Sequence, residues 1–244
     1  MPAPRHDPSD LWEVVLRQVV DADGYVDYDR LEARRETLDL YVAFLGTGRI
    51  PQSTLARYAY WMNAYNALVM FTVLEEGRPA SVLDVPPAGL WVKTPGAGFF
   101  TQRAFRFGPD RLSLSEIENE RLRMVRQDIR LHAAINCASV SCPPLRRELY
   151  DGRLLERQLE DQMIRWVNDP DRGVRVEGDT AVMTPIFDWF ARDFHDWTAG
   201  DDLCTMAARY ARSALRADLT RLAEQGCPHQ FFEYDWSLNH RPRE

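Results

Sequence analysis

The chain has 244 residues, 45% hydrophobic and 27% charged, with a formal net charge of −7 at pH 7. That composition is ordinary for a globular protein with a sizeable core. Its acidic balance argues against a nucleic-acid or anionic-membrane surface, because no basic field would draw in phosphates.

In chain order, the opening MPAPRHDPSD lacks the basic-then-apolar pattern of a secretory signal. The stretch DPSDLWEVVLRQVVDADG predicts a helix capped at Ser9 or Asp10, with Leu11, Val14, Val15 and Val19 on one stripe and Gly24 beyond its end. A second helical pattern covers 31–45 and stops at Gly46 and Gly48. The third, 53–76, carries Tyr58, Trp61, Tyr65, Leu68, Val69 and Leu74; a helix apolar on most sides is a central one. Its longest apolar run, 64–74, is shorter than the roughly 18 residues a bilayer span needs, so no membrane span is expected.

Residues 86–100, PPAGLWVKTPGAGFF, are rich in Pro and Gly and read as a loop offering Leu90, Trp91, Phe99 and Phe100 for contact. AFRFG alternates like a short strand, and SLSEIENERLR predicts a helix capped by Ser113 or Ser115, with Glu116 or Glu118 at its third position. Arg121, Arg123 and Arg126 read as a solvated face. IRLHAAIN is a buried strand or an apolar helical turn. VRVEGDTAVMT predicts a hairpin about Gly178-Asp179, flanked by helices at about 154–167 and 203–224. No repeat or linker divides the chain. The expectation is one helix-rich α+β domain over 1–244 with a small, mainly antiparallel sheet, its strands between 104 and 184. It has a helical part at about 9–77, a mixed part at about 78–200, and a C-terminal helix and tail at about 201–244.

Chemistry concentrates in LHAAINCASVSCPPL, residues 131–145. Cys137 lies where an apolar run gives way to small polar residues. There Asn136 and the amides of Cys137 and Ala138 can serve an oxyanion. His132 is five positions upstream, so an extended strand would put the two side chains on opposite faces. Reading Cys137 as a small buried hydrophobe, and His132 as a core histidine, competes with the reactive reading. His132, Cys137 and Cys142 also suit a metal, but C-x4-C with one upstream His is not a recurring zinc spacing, and neither metal nor cofactor is expected. The four cysteines, with Cys204 and Cys227, make no disulfide framework at this length. Reduced thiols in a cytoplasmic setting are expected; the alternative is an exported mature form, in which Cys137 and Cys142 could be bridged across a turn. Asn63 and Asn66 share one face of the apolar helix and need polar partners, in the 86–100 loop or in a substrate. Glu118 could face inward to orient a histidine, and Asp193 could cap or pair inside.

Together VDYDRL, YWMNAYNAL, LSLSEIENERLR, IRLHAAINCASVSCPPL, TPIFDWFARDF and YDWSLN resemble the family numbered 547 among domains of unknown function, over nearly the whole chain. Its bacterial members often look exported, and it also forms the C-terminal part of longer plant proteins. The resemblance places the family's motifs on Asn63 and Asn66, on Glu116, Ile117 and Glu118, on His132, Asn136, Cys137 and Ser139, and on Ser141, Cys142 and Pro143. Where relatives carry His or Asn after the Ile-Glu pair, this chain has Asn119, so a base role falls to His132. The expected activity is a cysteine-dependent hydrolase or acyl transferase acting on an amide or thioester of a small-molecule or peptide substrate. Cys137, His132 and Glu118 would be catalytic; Asn63, Asn66, Asn136, Ser139 and Ser141 would bind substrate. The alternative is a non-catalytic peptide- or protein-binding module.

Overall fold

Apolar side chains at helical spacing dictate the first third of the molecule. The computed structural model describes residues 8–87 and 96–242. Helix α1 (Ser9–Val19) buries Trp12, Val15, Leu16 and Val19, whereas Val14, placed on the expected stripe, is 41% exposed. Trp12 sets the face: its ring stacks on Tyr41, and 12, 15, 16 and 19 are the i, i+3, i+4, i+7 set counted from it. The expected Ser9 or Asp10 cap is not formed, since Pro8 occupies that position. The pattern at 31–45 is two helices, α2 (Tyr28–Ala33) and α3 (Arg35–Leu45), interrupted at Arg34. Helix α4 (Thr54–Glu75), 22 residues long, is buried on nearly every side.

A short α5 (Ala97–Thr101) leads to the hairpin β1 (Phe105–Phe107) and β2 (Asp110–Leu112). Next come α6 (Leu114–Glu116) and a π-helical turn, Ile117–Arg123. Ser113 and Glu116 form the capping box: the Glu116 N–H donates to Ser113 Oγ and the Ser113 N–H to Glu116 Oε2. The wide turn is closed by the Met124 N–H donating to the Asn119 carbonyl, five residues back. Helix α7 (Leu131–Ala134) resolves the LHAAIN ambiguity in favour of a helical turn.

Helix α8 (Leu155–Val167) precedes the hairpin β3 (Val174–Glu177) and β4 (Thr180–Met183), which turns at Gly178 with φ 61°. Short α9 (Ile186–Trp189) and α10 (Ala191–Asp196) follow. The expected 203–224 helix breaks into α11 (Leu203–Tyr210) and α12 (Ser213–Glu224), because Ala211 and Arg212 are extended. Strand β5 (His229–Phe231) then pairs parallel to β4, with Gln230 opposite Val182, which carries the sheet beyond residue 184. The architecture is helix-rich α+β with sheets of two and three strands among the described residues.

Buried side chains form one cluster around α1–α4 and a second around α8–α12 and the three-stranded sheet; Trp236 packs against both. The tail carrying Trp236 is stitched down by bridges from Ser237 to Ser81, Leu238 to Ser139 and His240 to Val26. The cysteine expectation is corrected. Cys137 is bonded to Cys142 and Cys204 to Cys227, with no free cysteine. Proximity of the second pair is created by the α11–α12 packing, which the linear spacing does not reveal. No described helix is long and apolar enough to cross a membrane.

Candidate functional site

Helix α7 presents His132 to the interior, 3% exposed, and its Nε2 lies 3.0 Å from Asp193 Oδ2 on α10. Arg123, from the π-helical turn, grips the same carboxylate with Nε and Nη2 at 2.7 and 2.9 Å. Arg123 Nη1 in turn donates to Asn119 Oδ1 at 2.6 Å. Burial alone would raise the Asp193 carboxyl; hydrogen bonds from His132 and Arg123 outweigh it and hold it below the usual carboxylate range. An ionised carboxylate only accepts, so His132 donates to it from Nε2. The ring is fixed further by Phe190 and Phe194, at centroid distances of 4.3 and 5.1 Å. Asp193, not the expected Glu118, therefore orients the imidazole, and Arg123 is a clamp on a buried anion rather than part of a solvated face.

Glu118 accepts a hydrogen bond from the Tyr65 hydroxyl at 3.1 Å. Burial pushes its carboxyl above the ordinary range, although His132, Tyr65 and Arg123 pull the other way. Such a half-buried acid can exchange a proton nearer neutrality than a solvated glutamate.

Cys137 follows α7, and its sulfur contacts Ser139 Oγ at 2.8 Å and the Tyr234 hydroxyl at 3.3 Å; these, not His132, are its hydrogen-bond partners. The expected oxyanion donors are already engaged. The Cys137 N–H donates to Cys142 Sγ at 2.9 Å, the Ala138 N–H to Asn136 Oδ1 at 2.7 Å, and Asn136 Nδ2 to the Pro143 carbonyl at 2.8 Å. Ala138 sits at φ 63°, a conformation costly for a residue with a Cβ and sustained here by the Asn136 brace.

The asparagines expected to bind substrate are internal braces instead. Asn63 pairs both ways with the Tyr150 backbone at 2.8 and 2.9 Å. Asn66 does the same across Ala134 O and the Asn136 N–H, both at 2.9 Å. Ser141 Oγ accepts the Asp235 N–H, and Ser139 alone among the expected binding residues touches the cysteine. An amide in an apolar helix must find partners; here distant backbone supplies them. Of that loop, Leu90 and Trp91 lie outside the described residues, Phe99 is buried core, and Phe100 reaches the cleft.

That cleft, about 180 Å³ in volume, has Tyr65, Glu118, His132, Cys137 and Tyr234 as its polar lining. Its apolar wall includes Phe100, Phe190, Trp189 and Trp236, and Trp189 stacks on Trp236 at 5.3 Å. The residues a linear reading passed over are Tyr65, taken for core, Arg123 and Tyr234. The only hint in the sequence was that the tail's YDW is aromatic and polar at once. Elsewhere, ligand atoms of Asp202, Cys204 and Cys227 lie within 4.8 Å of one another, but the disulfide removes both thiolates a metal would need.

Residues 52–167, about half of the chain, match the family model described as "Protein of unknown function, DUF547". The match takes in Asn63, Asn66, Glu118, His132 and the Cys137–Cys142 segment; Asp193 and Tyr234 fall outside it. No curated protein and no solved structure matches the chain.

Proposed function

We propose that this chain, which belongs to the DUF547 family, is a cysteine-dependent hydrolase or acyl transferase acting on an amide or thioester once Cys137 is reduced. The observation that supports the reading is convergence. Two separate segments, the π-helical turn with Glu118 and the α7 stretch with His132 and Cys137, meet at one cleft, with the imidazole held by a buried carboxylate from a third. The Cys137 thiolate attacks the acyl carbon, its proton having passed to His132. His132 returns that proton to the departing amine or thiol, leaving an acyl group on Cys137. Water or an acceptor amine then attacks, again deprotonated by His132, and the thiolate is regenerated. With the main-chain amides occupied, the Tyr234 hydroxyl, 3.3 Å from the Cys137 sulfur and part of the cleft lining, serves as a donor to the developing oxyanion. Glu118, beside Tyr65, is a second proton carrier at the same cleft.

The two disulfides favour an oxidising compartment over the cytoplasm. The test is mass spectrometry of the reduced protein after exposure to an activated thioester. An acyl adduct on Cys137, missing in Cys137→Ala, is expected; a folded, reduced protein that never acquires one contradicts the reading. A peptide-binding role draws support from the predominance of apolar wall in the cleft. Ligand affinity unchanged in Cys137→Ser, with no adduct in the parent protein, would favour it.

A further inference from the structure

The cleft and the Cys137–Cys142 bond have Cys137 in common. Cys137 is half-buried and lines the cleft, whereas Cys142 is 3% exposed. A nucleophile entering the cleft meets one sulfur of the pair and not the other. The sulfur behind it accepts the Cys137 N–H, a contact that strengthens when that sulfur becomes an anion. The segment is also closed without the bond, since the Asn136 side chain, just before the pair, holds the Pro143 carbonyl just after it and the Ala138 N–H between. Opening the bond therefore leaves the two cysteines facing each other.

We propose that Cys137–Cys142 is a thiol-exchange site, in which an external thiolate attacks the sulfur of Cys137. The S–S bond breaks toward Cys142, which leaves as a thiolate, and a mixed disulfide forms on Cys137. A second external thiolate attacks the external sulfur of that mixed disulfide and frees Cys137 as a thiolate. The two external thiols are oxidised to a disulfide while the protein disulfide is reduced to two thiols, so electrons balance. The cleft's volume of about 180 Å³ suits a small thiol or the tip of a thiol-bearing loop. Exchange stands on its own; that it uncovers the acyl-transfer nucleophile rests on the preceding reading.

The decisive experiment is differential alkylation of the unmodified protein in graded glutathione, with the thiols mapped by mass spectrometry. Cys137–Cys142 is expected to open at least tenfold faster than Cys204–Cys227, whose sulfurs are both buried. In Cys142→Ser, oxidised glutathione should label Cys137 at least tenfold faster than it labels Cys142 in Cys137→Ser. Opening of both bonds at one rate, or labelling that prefers Cys142, overturns the proposal. Exchange without any acyl adduct would remove only the acyl-transfer reading, and an adduct that appears only after forced reduction would remove only this one.

Discussion

Cys204 and Cys227 join the start of α11 to the turn after α12 across 23 positions and are both buried, whereas Cys137 and Cys142 stand five apart with one sulfur on a cleft wall. A link across a long loop removes more unfolded-state freedom than one across a short loop. The short loop is also closed already by the Asn136 side chain. The same covalent bond thus stands in two settings in one molecule: the distant pair joins α11 to the turn after α12, and the near pair holds the sulfur we propose to be reactive. Surroundings, not bond type, set them apart.

Removing the bonds one at a time breaks the comparison most directly. Converting Cys204 and Cys227 together to Ala is expected to lower unfolding stability by about 3 kcal/mol, against about 2 kcal/mol or less for Cys137 and Cys142. Denaturant titration measures both. Equal losses would remove the distinction. Asn136→Ala strips partners from the Ala138 N–H, the Pro143 carbonyl and Asn239 Nδ2. A loss of about 2 kcal/mol is expected, with slower re-closure of the reduced near pair followed by thiol trapping.

Protonation separates the two carboxyls that face His132. The Asp193 carboxyl is held low when folded, so its stabilising contribution is present above the ordinary carboxylate range and disappears as pH falls through the folded value. Asp193→Asn is expected to cost about 1–2 kcal/mol at neutral pH, with the gap to the parent narrowing below about pH 4. Glu118 has the opposite sign. Its folded carboxyl is raised, so ionisation at higher pH lowers stability, while below the unfolded value both states are protonated and nothing is lost. Glu118→Gln should therefore raise the melting temperature slightly at neutral pH and not at all near pH 4; a gain that grows on acidification would contradict the burial account.

Several local signals are legible in the sequence and distant ones are not, although the missing Ser9 or Asp10 cap and the helix breaks at Arg34 and Ala211–Arg212 are local and escape it. The Ser113–Glu116 box spans four residues and the Gly178 turn two, so chain chemistry alone declares them. The all-round apolar character of α4 likewise announces a central helix. By contrast His132 and Asp193 are 61 positions apart, and only the packing of α10 against α7 makes them partners. Asn63 and Asn66 do take the partners that buried amides need, yet an amide bound to backbone and one waiting for substrate look alike in one dimension. Parallel pairing of β5 with β4 joins segments with α9–α12 between them, beyond the reach of any periodicity.

The central claim is that His132, held by Asp193, poises the sulfur of Cys137 as an anion once the near disulfide is open. The pH dependence of Cys137 alkylation in the reduced, folded protein tests it most directly. The account predicts a midpoint well below the ordinary thiol value of about 8.5, shifting back toward it in His132→Gln. A midpoint at the ordinary value in both proteins would contradict it.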